Sequence, residues 1–240
     1  MRVLCLSTGR VRPKRALRGL RRHLPGGWAG ETLPVNAFLV DHPRGRCLFD
    51  TGQTARAAAP GHHPAWHPYL RLARFELGPG DEVAAQLRRA AIAPASVRWV
   101  VLSHLHTDHV GGVGDFPQAE VIVSRVEWER AQGLAGRLRG YLPQHWPPAV
   151  RPRLVEPAGP PLGPFPWSLD LAGDGTLVLV PTAGHTPGHL ALVAWDGGEG
   201  VFLGGDVAHS ADELARTAPE VARYCQAQGL TVLLAHAEPS

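Results

Sequence analysis

The sequence predicts an α/β protein folded as a four-layer αββα sandwich. Three observations predict it: strand-length apolar runs bounded by Pro and Gly recur along the chain, helical patterns fall between them, and the mixture repeats in two halves. No period short enough for a solenoid is present. With 240 residues and 44% hydrophobic content, the chain can form a substantial core, read as one domain over 1–240 made of two packed αβ halves.

The strand-length runs are 35–40, 46–49, 98–102, 120–123, 177–180, 190–195, 201–203 and 231–235. Between the first two, Asp41-His42-Pro43-Arg44-Gly45 carries turn chemistry, which predicts a β-hairpin. A helix is expected over 81–91, where Val83, Leu87 and Ala91 share a face and Asp81 can cap the N-terminus. Two more helices are expected over 125–134 and 219–228. The stretches 53–80 and 136–175 resist assignment and read as functional loops.

The formal charge is +3, with Arg10, Arg12, Lys14, Arg15, Arg18, Arg21 and Arg22 concentrated near the start. Such a run can contact phosphate, but a solvated arm is its commoner meaning. Cys5, Cys47 and Cys225 are too scattered for a disulfide framework or a zinc ribbon and read as buried small hydrophobes. The opening residues lack the sustained apolar run of a secretory leader, and no window holds the ~18 apolar residues of a membrane span. A soluble cytoplasmic protein is the expectation.

The apolar run Trp99-Val100-Val101-Leu102-Ser103 feeds His104-Leu105-His106-Thr107-Asp108-His109. In extended backbone His104 and His106 project to one side, so their imidazoles can converge on one ion. Asp108 and His109 follow once the chain turns and can face a second. Gly111 and Gly112 keep the next backbone slim. Imidazole and carboxylate are ordinary zinc ligands. Further candidates end later apolar runs: His185 in Gly184-His185-Thr186-Pro187-Gly188-His189, Asp206 after Gly204-Gly205, and His236 after 231–235. Any one alone reads as a loop residue; together with the first cluster they read as ligands. His189, four residues after His185, reads as a supporting or packing histidine.

These segments, with Phe49-Asp50-Thr51-Gly52, resemble the sequence blocks of the metallo-β-lactamase superfamily, in that family's order and over most of the chain. The resemblance implies the metallo-β-lactamase fold, with His104, His106 and His185 holding one zinc ion, Asp108, His109 and His236 another, and Asp206 bridging them. Iron, cobalt or manganese would suit the same groups. It also implies that Asp50 is a buried residue supporting the ligands. The hairpin 33–52 and the stretch Ser124-Arg125-Val126-Glu127-Trp128-Glu129-Arg130-Ala131 resemble the N-acyl homoserine lactone lactonases.

The implied activity is metal-dependent opening of a lactone ring, with Asp108 passing a proton to the leaving alkoxide and a small-molecule lactone or ester as substrate. Where those lactonases often carry a tyrosine, this chain has His209, and Ala237 follows His236 where an aspartate is common. His209 is therefore either the second catalytic group, donating a hydrogen bond to the substrate carbonyl or oxyanion, or a plain surface-loop histidine. Glyoxalase II-type thioesterases share the ligand pattern but add a basic C-terminal region, whereas this sequence ends at Ser240. Cysteine is common at the position of Asp206 in two-zinc β-lactamases, and imidazole at His106 argues against an iron redox centre. A nuclease would want a nucleic-acid-binding insertion, and a non-catalytic relative would not need all seven ligands. Leu17, Leu20, Leu24, Trp28, Trp66, Tyr69, Leu70 and Trp146 offer apolar surface for an acyl chain, and His62, His63 and His67 polar contacts. By resemblance alone, a homodimer is expected.

Overall fold

The computed structural model describes residues 1–16, 25–28, 30–63 and 73–238. The first half contains β1 (Arg2–Ala16), β2 (Pro25–Trp28), β3 (Leu33–Asp41), β4 (Arg46–Phe49) and β5 (Ala73–Glu76). These are followed by α1 (Val83–Arg89), β6 (Val97–Val101), α2 (Thr107–Val110), β7 (Glu120–Ser124), α3 (Arg125–Arg130), α4 (Gly133–Leu138) and β8 (Arg153–Val155). The second half contains β9 (Leu169–Asp170), β10 (Leu177–Pro181), β11 (Leu190–Asp196), β12 (Glu199–Leu203), α5 (Ala211–Thr217), α6 (Pro219–Ala227) and β13 (Leu230–Leu233).

Among the described residues the first sheet has the order β2-β1-β3-β4-β6-β7-β8, with β5 also on β1, and the second the order β13-β12-β11-β10-β9. The hairpin expected at Asp41 to Gly45 is present, with Phe38 paired to Phe49 and Val40 to Cys47. From β4 to β8 the first sheet is parallel.

Strand 35–40 reads as an apolar run broken only by Asn36 because both of its faces are covered. Phe38, Val40, Phe49, Trp99, Val101 and Ile122 pack on Leu177, Leu179, Leu190, Leu192 and Leu203 of the second sheet. The opposite face, through Ala37, Leu39, Leu48, Val100 and Leu102, packs on Val83, Ala84 and Leu87 of α1. Val178, Val180, Ala191, Val193 and Phe202 cover the outer helices through Leu214, Val221 and Cys225. Three apolar seams thus separate four layers, which is the αββα sandwich expected.

Several local expectations differ from the structure. The basic N-terminal run is a strand rather than a solvated arm as far as Ala16, because β1 pairs with β3 and β5 as far as Pro13 and with β2 at Lys14 and Ala16. Arg10 meets Glu238 at 2.7 Å and Arg12 meets Glu76 at 3.2 Å. Arg18, Arg21 and Arg22 lie outside the described residues, as do Leu17, Leu20, Leu24, Trp66, His67, Tyr69 and Leu70. The helix expected over 125–134 is broken into α3 and α4, with Gly133 at φ 68, a conformation that ends a right-handed helix. Asp81 does not cap α1: Glu82 holds that position, and the Asp81 carboxylate accepts from the Gly78 N–H at 2.7 Å. Cys47 and Cys225 are buried, but Cys5 is exposed on β1. Among the described residues no helix is long and apolar enough to cross a membrane.

Candidate metal centre

All the expected ligands arrive at one edge of the sandwich from strand ends. His104 follows β6, and the chain stays extended through His106, so both rings point the same way. The His106 Nδ1 lies 3.0 Å from the His104 Nε2 and 3.0 Å from the His185 Nε2. The turn of α2 then carries Asp108 and His109 to the other side of the cluster. Gly111 is required there, because a Cβ would stand 2.7 Å from the Thr54 backbone nitrogen and 2.8 Å from the Gly52 carbonyl oxygen. His185 comes from the loop after β10, Asp206 from the turn after β12 and His236 from the end of β13.

Three overlapping groups result, each with its ligand atoms within 4.8 Å of one another: His104, His106 and His185; His104, His109 and Asp206; and Asp108, His109 and His236. The Asp206 Oδ1 is 3.3 Å from the His109 Nε2 and 3.4 Å from the His236 Nε2, while its Oδ2 is 3.4 Å from the His185 Nε2. Asp206 therefore spans the cluster.

Hydrogen bonds on the outer side of the rings orient the donors. Asp50, at φ 61, accepts from the Ser103 N–H at 2.7 Å, the Ser103 hydroxyl at 2.8 Å and the His109 Nδ1 at 2.9 Å. The His109 Nδ1 hydrogen is committed to the Asp50 carboxylate, so its Nε2 is the nitrogen that faces inward. The Ser103 hydroxyl, having given its hydrogen to Asp50, can only accept from the His104 Nδ1 at 3.0 Å, which turns the His104 Nε2 inward likewise. His236 donates from Nδ1 to the Pro34 carbonyl at 2.7 Å with the same consequence. Three imidazoles are thus oriented with Nε2 toward the cluster.

Charge completes the fit. Burial first, then neighbouring imidazoles, hold His104 well below its ordinary pKa, and burial with His185 takes His106 down to about 4. That side presents neutral donors. On the other side burial opposes charge, yet the Asp206 carboxylate overcomes it, holding His109 well above its usual range and His236 at about 9. The acidic side calls for positive charge. The His109 Nε2 and Asp206 Oδ1 are also buried without a hydrogen-bond partner. Unpartnered inward donors, neutral imidazoles and a spanning carboxylate fit divalent cations.

Four supporting residues had not been assigned a role from sequence. Ser103 is the relay between Asp50 and His104. Asn36 donates to the Ala237 carbonyl at 2.8 Å and its backbone N–H to the Ala235 carbonyl at 2.8 Å, tying the His236 loop to β3. Thr182 meets the His189 Nδ1 at 2.7 Å, and the His189 Nε2 accepts from the Asp206 N–H at 3.1 Å, so His189 holds Asp206 rather than joining the ligands. Glu127, 1% exposed, accepts from the Leu105 N–H at 3.1 Å beneath the metal loop. Nothing in the local sequence sets Glu127 apart from Glu129; its burial is a tertiary effect.

His209 sits at the rim of the cluster, its ring centroid 5.5 Å from that of His236. A cavity of about 1080 Å³ lies along the other flank, lined among others by Leu105, Trp128, Tyr141, His62, His145 and Trp146. Trp146 packs edge-on against Trp128 at 4.9 Å, so it is part of the cavity wall.

The family model of the metallo-beta-lactamase superfamily matches residues 30–235, spanning β3 to β13 and all the candidate ligands but His236, which follows directly. The chain belongs to this superfamily. Among curated relatives within it, N-acyl homoserine lactonase AttM of Azorhizobium caulinodans is 34% identical over 173 residues, 70% of this chain and 62% of the relative. AttM of Agrobacterium fabrum is 33% identical over 193 residues, 78% of this chain and 70% of the relative. The match to the first thus spans less than two thirds of that relative's length. A solved quorum-quenching N-acyl homoserine lactone hydrolase shares the superfamily fold with a TM-score of 0.73 at 20% identity, over 98% of this chain and 91% of that one.

Proposed function

We propose that this chain is a metal-dependent hydrolase that opens the lactone ring of N-acyl homoserine lactones or related lactones. The observation that carries the reading is the seven-residue donor cluster with its imidazole nitrogens, Nδ1 for His106 and Nε2 for the others, and its carboxylates brought together, in a chain whose curated relatives include N-acyl homoserine lactonases. His104, His106 and His185 would hold one divalent ion, Asp108, His109 and His236 a second, and Asp206 would bridge; zinc suits the donor set best. Such a pair supplies Lewis acidity toward a carbonyl and brings the pKa of water toward ~7.

The chain's own groups do the rest. Asp50, Ser103 and the Pro34 carbonyl fix the imidazole orientations before substrate arrives. His185, its side chain 31% exposed, marks the open side, while His109 and Asp206 are shielded from water. Asp108 lies with its Oδ2 3.7 Å from the His236 Nε2, on the side of the cluster where a carboxylate can hold a proton and pass it to the departing alkoxide oxygen. His209 contacts the substrate from the rim.

Hydrolysis rates of metal-loaded protein should be measured on acyl homoserine lactones, simple lactones and S-acyl glutathione, with Asp108→Asn and chelator-treated controls. Metal-dependent lactone opening faster than thioester cleavage is the expected result. A thioester preference would move the chain to the glyoxalase II type, and inactivity on both would refute the reading.

A further inference from the structure

Two of the candidate ligands lack the outer hydrogen bonds that orient the others. His104, His109 and His236 are each held through Nδ1, whereas among the described residues no such partner meets the rings of His106 and His185. What holds these two lies behind their backbones. The Glu127 Oε1 accepts from the Leu105 N–H at 3.1 Å, fixing the chain between His104 and His106. Tyr141 pairs with His106 in an isolated antiparallel bridge, and its ring centroid lies 5.1 Å from that of His106. On the other loop Gly188 packs directly on α3, where a Cβ would stand 2.3 Å from the Glu127 backbone nitrogen.

Side chains close the same link. Glu127, Tyr141 and Thr186 are 1%, 2% and 3% exposed, and Thr186 directly follows His185. The second Glu127 oxygen and the Thr186 hydroxyl make no close hydrogen bond, and the Tyr141 hydroxyl is the group that interacts with both. By donating to the carboxylate and accepting from the threonine, one phenol serves two buried polar groups whose isolation would be costly. We propose that Glu127 and Tyr141 brace the His106 and His185 loops from behind, and so set the affinity of the ion that His104, His106 and His185 would hold, leaving the position of Asp108, His109 and His236 to Asp50 and Pro34. This rests on the two-metal reading above. Glu127 and Tyr141 are positioning residues, since neither belongs to the donor groups. A ring without an outer hydrogen bond takes its direction from its backbone, so a loosened loop costs affinity at that ion first.

Zinc competition against a fluorescent chelator, read together with nitrogen NMR of labelled histidine, reports the two positions separately. Wild-type protein should take up two ions, with the rings of His106 and His185 responding to one and those of His109 and His236 to the other. Tyr141→Phe keeps a ring against His106 and removes only the hydroxyl. It should weaken the first affinity by about 10–100-fold and leave the second within about twofold. Glu127→Ala should do the same. Glu127→Gln should stay near wild type, because its amide oxygen still accepts from the Leu105 N–H and its nitrogen can donate to the Tyr141 hydroxyl. Should Glu127→Ala fail to fold, Tyr141→Phe carries the test by itself. If Tyr141→Phe lowers Tm but leaves both affinities at the wild-type value, or weakens both equally, these side chains only pack the core and the inference is overturned. If the wild type binds no zinc through these histidines, the two-metal reading fails and the inference falls with it, an outcome distinct from two ions bound with no selective loss in the variants.

Discussion

Replacing Asp50 by Asn tests whether the metal centre depends on outer hydrogen bonds as well as on its ligands. Asp50 is 1% exposed and its carboxylate accepts three hydrogen bonds, from the Ser103 N–H, the Ser103 hydroxyl and the His109 Nδ1. An asparagine keeps one oxygen for the Ser103 N–H and tolerates the positive φ of 61 about as well as aspartate. Its amide nitrogen, however, replaces the oxygen that served both the hydroxyl and His109, so donor faces donor. The cheapest relief moves the His109 hydrogen to Nε2, the atom that faces Asp206 at 3.3 Å. A protonated Nε2 cannot ligate.

Loss of such an outer partner typically weakens metal affinity by about 10–100-fold, equivalent to about 1.4–2.7 kcal/mol. The ion held by Asp108, His109 and His236 should bear most of that loss. Zinc titration in competition with a chromophoric chelator, with elemental analysis of the purified protein, reads both affinities and stoichiometry. If both affinities in Asp50→Asn stayed within about twofold of wild type, against the order-of-magnitude loss expected, the tautomer argument would be refuted.

Gly188→Ala should destabilise the fold by about 1–3 kcal/mol or more, because the new Cβ would meet the Glu127 backbone nitrogen at 2.3 Å; urea denaturation checks it. His189→Phe keeps the ring's bulk but leaves the buried Asp206 N–H without its acceptor, so a loss of about 1–3 kcal/mol in stability and lower bound zinc are expected. Tm and metal content together read that variant. Burial, then His145 and Arg56, lower His62 from 6.5 to about 4. The unfolded chain therefore takes up this proton at a higher pH than the fold does. The His62 contribution is fully present above pH 6.5 and lost as pH falls toward 4. His62→Gln should flatten that part of the Tm against pH curve, and an unchanged slope would count against the assignment.

Much of the fold was legible in the amino-acid sequence because its signals are local. The runs at 35–40, 98–102 and 190–195 are apolar apart from Asn36 and Arg98, since they lie in sheets with core on both faces, and the Pro and Gly between them mark the turns. The candidate ligands were legible because His104, His106, Asp108 and His109 are near neighbours in the chain and the remaining candidates each follow an apolar run. By contrast, β1 has a mixed polar pattern that resembles a basic arm, and only its pairing with β3 and β5 makes it a strand. The break between α3 and α4 depends on a single left-handed glycine, which the surrounding helical pattern outvotes.

The sequence by itself determined the layered α/β architecture and which residues could ligate metal, because periodicity and spacing act over a few residues at a time. Only the tertiary structure decided how those ligands are held: which ring nitrogen His109, His104 and His236 turn inward, and that His189 grips the Asp206 backbone. Each of these choices is a hydrogen bond whose geometry is set by folding. The Asp50 to His109 contact joins residues 59 apart in the chain and that of Pro34 with His236 joins residues 202 apart, so no local pattern could encode them.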